Sequence, residues 1–169
     1  MTDTNDFLNK GVDVDALLRF RDSVIADGSK ADRRPQMSGR WNGDDEAIIT
    51  FGEKQMVVGG KDHLNAMQTL LAAFIGCDID VVAMNASFLG IKIEELVIEA
   101  SGFFNVQSYI GAAAGPGSGY REIEYKVRLK APGITEEQVK QLIEKCEKAS
   151  PVGDTLSRPV PLKLEFISS

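Results

Sequence analysis

Residues 65–90 read NAMQTLLAAFIGCDIDVVAMNASFLG. Asn65 can cap the N-terminus of a helix, and Gln68, three residues later, completes a capping box. Gly90 is placed to end that helix. The side chains between these ends leave almost no polar stripe, and a helix that is apolar all round is a buried one. We therefore predict a buried central helix around which the rest of the chain is organised.

The predicted central helix carries one thiol, Cys77, and two carboxylates, Asp78 and Asp80, within its apolar run. A buried thiol is ordinary, whereas buried carboxylates are uncommon unless they are paired. The two acids also interrupt the run from Leu70 to Met84, which is too short and too polar for a transmembrane span. The sequence thus indicates a core helix with an unusual polar insertion.

Length, charge and cysteine content narrow the class of protein. The chain has 169 residues, enough for one domain with a substantial core. Its net charge of -6 offers no obvious basic surface to nucleic acid or an anionic membrane. The polar first 12 residues are expected to fray and show no signal-peptide pattern, and 2 cysteines do not make a disulfide scaffold. We expect a cytoplasmic protein with reduced cysteines and with neither nucleic acid nor membrane as partner.

Hydrophobic periodicity and turn residues predict the other elements. Before the central helix, Asp13 caps a helix over residues 14–27, and short strands lie between Met37 and Val58 with a hairpin loop at Asn42-Gly43. After it come a strand over 91–104, a glycine-rich loop over 111–119 and a half-buried strand over 120–130. A helix capped by Thr135 and ended by Pro151, a loop over 150–158 and a last strand over 160–168 complete the chain.

This order does not alternate as βαβ units, which favours an α+β fold. The predicted core is β(3)-α-β(2)-α-β, with residues 1–35 as an N-terminal helix and linker and residues 36–169 as the remainder of a single domain. One sheet can cover only one side of a helix that is apolar all round. A homodimer that buries two such helices together would cover the other side.

Several classes of site are excluded by motif. There is 1 histidine, and the cysteines lack CxxC spacing, so we expect no metal site. No GxGxxG or Walker sequence and no GxSxG elbow occur, and we expect no cofactor. Cys77 is the sharpest candidate for chemistry, although a small packed hydrophobe is the plainer interpretation of it. Cys146, on the apolar face of the last helix, is more simply a core residue.

The stretch NAMQTLLAAFIGCDIDVV, followed by GIKIEELVIEASG, resembles the OsmC/Ohr family of osmotically inducible and organic-hydroperoxide-resistance proteins. In that family an Asn-Pro-Glu opening leads into an Ala-rich helix that carries a peroxidatic cysteine. A Cys-Pro-x-Ser segment near the C-terminus carries the resolving cysteine. The resemblance implies an OsmC-like fold, an intertwined homodimer, and a peroxidatic cysteine in an apolar pocket near the dimer interface.

Carried over residue by residue, the resemblance matches Cys77 to the peroxidatic position. Met67 stands where the peroxidase branch has Glu, and Ser150 stands where it has the resolving cysteine. Cys146, one helical turn before Ser150, is a candidate substitute for the resolving thiol. Arg40 is taken as the candidate that activates the thiolate, because a reactive thiolate needs a cation or a helix N-terminus. The candidate ligand-binding residues are Met67, Gln68, Phe74 and Ser150.

The resemblance implies a thiol-dependent organic hydroperoxide reductase that acts in oxidative-stress defence. The thiolate attacks an apolar hydroperoxide, and the sulfenic acid that forms is returned to the thiol by a dithiol or a low-molecular-weight thiol. The replacements at Met67 and Ser150 leave an alternative, which is a non-peroxidase OsmC-like dimer that binds a small apolar ligand.

Overall fold

The computed structural model of the chain describes residues 8–112, 115 and 117–168, so part of the glycine-rich loop lies outside the described residues. Helices and strands follow one another in the order that the sequence predicts up to the last helix, and the mixed α+β class is confirmed. The elements are α1 (Val14–Ala26), a 3-10 turn (Gly28–Ala31), β1 (Ser38–Trp41), β2 (Glu46–Phe51), β3 (Lys54–Gly59), α2 (Ala66–Phe88), β4 (Glu95–Phe104), β5 (Tyr120–Lys130), α3 (Glu136–Ala149) and α4 (Pro151–Ser157).

The strands form two separate antiparallel sheets. The first has the order β1-β2-β3, with Gly39 opposite Ile49 and Ile48 opposite Val57. The second is the pair β4-β5, whose register is shifted between Phe103 and Phe104. The first sheet meets the rest of the described fold only where β3 contacts α2. Each sheet is therefore narrow and incompletely covered.

The ends of α2 form as the sequence predicts. The Asn65 side chain accepts a hydrogen bond from the Gln68 backbone N–H at 2.9 Å, and the Gln68 side chain accepts from the Asn65 N–H at 3.0 Å. The helix stops before Gly90, which has a φ of +68°, a conformation that glycine adopts without steric cost. The capping box and the glycine together fix a helix of 23 residues.

Within the described residues, one face of α2 is covered and the other is not. Its covered side packs on the core formed by Val82, Ala86, Ile91, Ala131 and Leu142. The opposite side presents exposed small and apolar residues, namely Ala72, Ala73, Gly76 and Ile79. The described part of the chain therefore does not bury α2 on all sides, although the apolar sequence predicts such burial.

Helix α2 is also long and apolar enough to cross a membrane by the criteria of length and composition alone. The core helix of a soluble protein meets the same criteria, and α2 contacts β4, α3 and α4 on its covered side. Two carboxylates, Asp78 and Asp80, lie within its sequence. The fold is compatible with a soluble protein.

The C-terminal region differs from the sequence prediction. Residues 151–157 form α4 instead of a loop, because Ser150 accepts a hydrogen bond from the Gly153 N–H at 3.0 Å and Pro151 occupies the first helical position. The predicted strand over 160–168 does not form. Leu162 and Leu164, on its apolar side, are 94% and 89% exposed. A strand needs a hydrogen-bonding neighbour, and the described part of the chain supplies none to this segment.

Two apolar stripes are also less buried than predicted. On α3, Leu142 is buried and Cys146 half-buried, but Val139 and Ile143 are exposed. On β5, Tyr125 and Val127 are exposed, although they alternate with polar residues as a buried face would. The periodicity of both elements is as expected, but the described part of the chain does not cover these apolar residues.

Asn9 is a buried polar residue in the N-terminal segment that the sequence predicts to fray, and no sequence pattern reveals its burial. It is 8% exposed. Its side-chain N–H donates to the Ser87 hydroxyl at 2.8 Å and to the Ile91 carbonyl at 2.9 Å, and its carbonyl oxygen accepts from the Ile93 N–H at 2.8 Å. One amide thus fastens the segment before α1 to the turn that follows α2.

We predict that Asn9→Ala lowers the free energy of unfolding by about 2–4 kcal/mol, because it leaves several buried polar groups without partners. Urea denaturation followed by circular dichroism measures the loss. Asn105→Ala is the matched control, since Asn105 accepts only from the Gln107 N–H in its own turn. Equal effects of the two substitutions would contradict the anchoring role of Asn9.

Candidate functional site

Three polar side chains meet where α4 begins against α2. Cys77 and Asp78 are consecutive on α2, and Ser150 is the residue that caps α4. The Ser150 hydroxyl donates to Asp78 Oδ1 at 2.5 Å. The Cys77 sulfur lies 3.7 Å from the Ser150 oxygen. Asp78 is 7% exposed, so this hydrogen bond satisfies a carboxylate that the apolar helix would otherwise bury alone.

The direction of these hydrogen bonds follows from the number of hydrogens. A serine hydroxyl has one hydrogen, which Ser150 gives to Asp78. The Ser150 oxygen is then an acceptor for its other two neighbours, the Gly153 N–H at 3.0 Å and the Cys77 sulfur. Cys77 therefore faces Ser150 as a thiol donor, and Ser150 links the thiol to the carboxylate.

A cavity of about 780 Å³ opens beside this cluster. Its apolar wall consists of Met67, Leu70, Phe74, Tyr120, Ile123, Tyr125 and Leu156. Two contacts shape the wall: Phe74 and Tyr125 pack edge to face with ring centres 4.9 Å apart, and the Tyr120 hydroxyl donates to the Met67 carbonyl at 2.9 Å. A cavity of this size and lining suits a small organic molecule.

The predicted site residues are distributed unevenly around this cavity. Met67, Phe74, Cys146 and Ser150 all line it. Gln68 does not, because its side chain is held in the capping box of α2. The four residues that line the cavity can contact a bound ligand, whereas Gln68 caps the helix.

Cys77 and Arg40 do not line the cavity. Cys77 is half-buried and touches Ser150, which lines the cavity, but Cys77 itself does not line it. Arg40 is exposed on β1, and β1 contacts β2 alone among the described elements. The role of Arg40 in activating a thiolate thus stays a prediction, and one chain does not bring it to Cys77.

Asp78 is the site residue whose role the sequence did not reveal. It appeared there as an acid beside a thiol, whereas in the fold it lines the cavity and accepts from Ser150. A buried acid needs a hydrogen-bond partner, and a Ser-Pro pair is a typical helix start. Together these rules suggest one serine that both binds a buried acid and begins a helix. Only the fold identifies that serine as Ser150.

The cavity environment suppresses ionisation of Cys146 and Tyr125. Burial, assisted by the negative charge of Asp78, raises the pKa of the Cys146 thiol to about 11. Burial also raises the pKa of Tyr125, with smaller effects of Asp78, Glu147 and Cys146. Since the thiolate is the nucleophilic form, Cys146 is a weak nucleophile near neutral pH.

Comparison with known proteins places this architecture among characterised folds. Residues 59–165 match the family described as OsmC-like protein. A crystal structure of an OsmC-like protein from Mycoplasma pneumoniae superposes with a TM-score of 0.65 and 18% identity, covering 75% of this chain and 89% of that one. A search among curated proteins gave no match.

Two further solved structures share the fold. An OsmC-like protein of unknown function from Vibrio cholerae has a TM-score of 0.60 and 9% identity, with 73% of this chain and 94% of that chain covered. An organic hydroperoxide resistance protein from Elizabethkingia anophelis has a TM-score of 0.53 and 16% identity, with 74% and 89% covered. At these identities the likeness concerns the fold alone.

We predict that Cys146 makes stability fall at alkaline pH. The unfolded thiol loses its proton near pH 9.0 and the folded thiol near 11, so between these values the unfolded state binds fewer protons and its population is favoured as pH rises. Urea midpoints across this range should fall less steeply for Cys146→Ala than for the unmodified chain. Cys77→Ala is the control. Parallel pH dependence of Cys146→Ala and the unmodified chain would contradict the prediction.

Proposed function

The chain belongs to the OsmC-like protein family, and on that premise we propose that it is a thiol-dependent reductase of organic hydroperoxides with Cys77 as the attacking sulfur. The supporting observation is the 3.7 Å contact between the Cys77 sulfur and the Ser150 oxygen. Position 150 is where the sequence resemblance puts the resolving cysteine of two-cysteine members. If Cys77 occupies the peroxidatic position, its sulfur is expected to lie beside residue 150, which agrees with this contact.

The proposed chemistry begins with attack of the Cys77 sulfur on the distal oxygen of the hydroperoxide. The O–O bond breaks, the alkoxide takes up a proton to leave as an alcohol, and Cys77 becomes a sulfenic acid. Ser150 cannot form a disulfide, and Cys146 is held as a thiol. A dithiol or low-molecular-weight thiol from solution therefore attacks the sulfenic sulfur and releases water. A second thiol then frees Cys77 and leaves the reductant as a disulfide.

The lining of the cavity supports an apolar substrate. Phe74, Tyr125 and Leu70 offer hydrocarbon and aromatic surface next to Ser150, the residue that touches Cys77. Such a surface favours an aryl or fatty hydroperoxide over hydrogen peroxide, because only the organic group gains from leaving water. We assign the activity to oxidative-stress defence and place the protein in the cytoplasm, where thiol reductants keep cysteines reduced.

A second candidate function is binding of a small apolar ligand without turnover. It is favoured by one specific observation, which is that Cys77 does not itself line the cavity. Met67 and Phe74, both predicted as ligand-binding residues, do line it. In this alternative the cavity is the functional feature, and the contact between Cys77 and Ser150 serves packing.

We also propose that the working form is a homodimer in which two α2 helices meet. The exposed side of α2 carries Ala72, Gly76 and Ile79, and small residues let two helix backbones approach closely. The described residues of the same chain do not cover the narrow β1-β2-β3 sheet or the exposed apolar segment 160–167. Since β1 does not contact α2, an Arg40 that activates Cys77 has to come from the second copy.

Activity tests the first proposal directly. We predict turnover of cumene hydroperoxide with dithiothreitol, loss of that turnover to the uncatalysed background in Cys77→Ser, and retention of most of it in Cys146→Ser. A third variant, Ser150→Cys, should form a disulfide with Cys77 on oxidation, detected by mass spectrometry, because the two side-chain atoms are already close. Full activity in Cys77→Ser would overturn the proposal, and a purified chain with bound ligand and no turnover would support the alternative.

Light scattering after size-exclusion chromatography tests the dimer. We predict twice the chain mass of 18.4 kDa for the unmodified protein and a shift to the monomer for Ile79→Glu, since a carboxylate would be buried between the helices. Tyr109→Glu is the control, because Tyr109 is 80% exposed and lies in a loop. A monomeric unmodified protein at micromolar concentration would overturn the proposal.

A further inference from the structure

We propose that Ser150 and Asp78 form a proton relay that deprotonates Cys77 as its sulfur attacks. In this relay Ser150 is a catalytic residue, because its oxygen touches the reacting sulfur, and Asp78 is a positioning residue that acts through Ser150. The inference rests on the proposed hydroperoxide reductase activity and concerns the same sulfur. It assigns a function to the serine that replaces the resolving cysteine.

The geometry of the three groups is that of a relay. The Ser150 oxygen is 3.7 Å from the Cys77 sulfur and 2.5 Å from Asp78 Oδ1. The Gly153 N–H also donates to the Ser150 oxygen, which fixes the position of that oxygen at the start of α4. One hydroxyl thus accepts from the side of the thiol and donates to the carboxylate.

Within the described part of one chain, no basic side chain is seen that could take the proton of this thiol. Within residues 8–112, 115 and 117–168, no Lys, Arg or His is hydrogen-bonded or ion-paired to Cys77 or Asp78. Arg121 and Lys148 line the cavity but make no such contact with the pair. The carboxylate of Asp78 can accept the thiol proton through the Ser150 hydroxyl.

Each proton and electron pair can be followed through the attack of Cys77 on the hydroperoxide. As the sulfur lone pair forms the S–O bond with the distal oxygen, the thiol proton moves to the Ser150 oxygen and the Ser150 proton moves to Asp78. The O–O bond breaks, and its electron pair leaves on the alkoxide. Asp78 lines the cavity and can return its proton to that alkoxide, so the products are an alcohol, a sulfenic acid and the original carboxylate.

A plain electrostatic role for Asp78 predicts the opposite effect on Cys77. A fixed negative charge disfavours a nearby thiolate, so its removal should make a neighbouring thiol more reactive. This is what we expect at Cys146, whose pKa the Asp78 charge helps to raise. The relay instead requires the carboxylate, so its removal should make Cys77 less reactive. The other ionisable groups that line the cavity with Asp78 and Cys146 are Tyr120, Arg121, Glu122, Tyr125, Glu147, Lys148 and Asp154.

The experiment measures iodoacetamide labelling of each cysteine by peptide mass spectrometry, with the full chain at neutral pH. Labelling reports the nucleophilicity of Cys77 and does not depend on hydroperoxide turnover, so the relay and the reductase activity can fail separately. The variants are Asp78→Asn, Ser150→Ala and Ser150→Thr. Asp80→Asn is the matched control, because Asp80 is an exposed acid on the same helix without a bond to Ser150.

The relay predicts that labelling of Cys77 falls about tenfold or more in Asp78→Asn and in Ser150→Ala. Ser150→Thr, which keeps the hydroxyl, should restore most of the rate, and Asp80→Asn should leave it unchanged. Labelling of Cys146 should rise in Asp78→Asn, in the opposite direction from Cys77 in the same sample. Faster labelling of both cysteines in folded Asp78→Asn, or equal rates for the alanine and threonine variants, would overturn the proposal.

If Asp78→Asn unfolds, which its melting curve would show, the pair of Ser150 variants decides alone. Alanine and threonine at position 150 differ in the hydroxyl, and both leave the carboxylate in place. Slow labelling of Cys77 in Ser150→Ala with recovery in Ser150→Thr supports the relay. Equal labelling in these two variants counts against it.

Discussion

A carboxylate buried in the face of a long apolar helix is the constraint that positions the C-terminal helices of this structure. Asp78 cannot be taken out of water without a partner, since an unpaired buried charge costs several kcal/mol or more. Ser150 meets that requirement, and the same hydroxyl caps α4. One side chain therefore fixes the junction of α3 and α4 against α2 and forms part of the cavity wall.

The sequence specifies those parts of the fold that depend on local chemistry. The capping box at Asn65 forms as predicted, and the predicted cap at Thr135 forms as a capping box with Gln138, three positions later. The segment 160–168 shows the limit of such reasoning. Its alternation is correct for a strand, but pairing depends on a neighbour that local sequence does not name. The exposed side of α2 shows the same limit. An apolar pattern predicts that a surface is buried, but it does not predict whether the same chain or another chain buries it.

The site was predictable to a smaller extent than the fold. Residue types and spacing alone singled out Cys77 without naming a neighbour for it. The resemblance to a known family supplied position 150 as that neighbour, and the two side chains do touch. Met67 and Phe74, which are predicted as ligand-binding residues, line the cavity, whereas the Gln68 side chain caps the helix. The contribution of Asp78 required the tertiary structure, because 72 residues separate it from Ser150.

Under the proposed reaction, the hydroxyl at position 150 affects how long the oxidised protein survives. A sulfenic acid next to a cysteine is trapped within the protein as a disulfide, which resists further oxidation. In the reaction proposed for Cys77, the sulfenic acid lies next to Ser150, which offers no such internal trap, and it waits for a thiol from solution. During that wait a second oxidant molecule can convert it to the sulfinic acid, from which most proteins do not recover. The lifetime of such a site is set by the ratio of thiol to oxidant around it, and not by the fold.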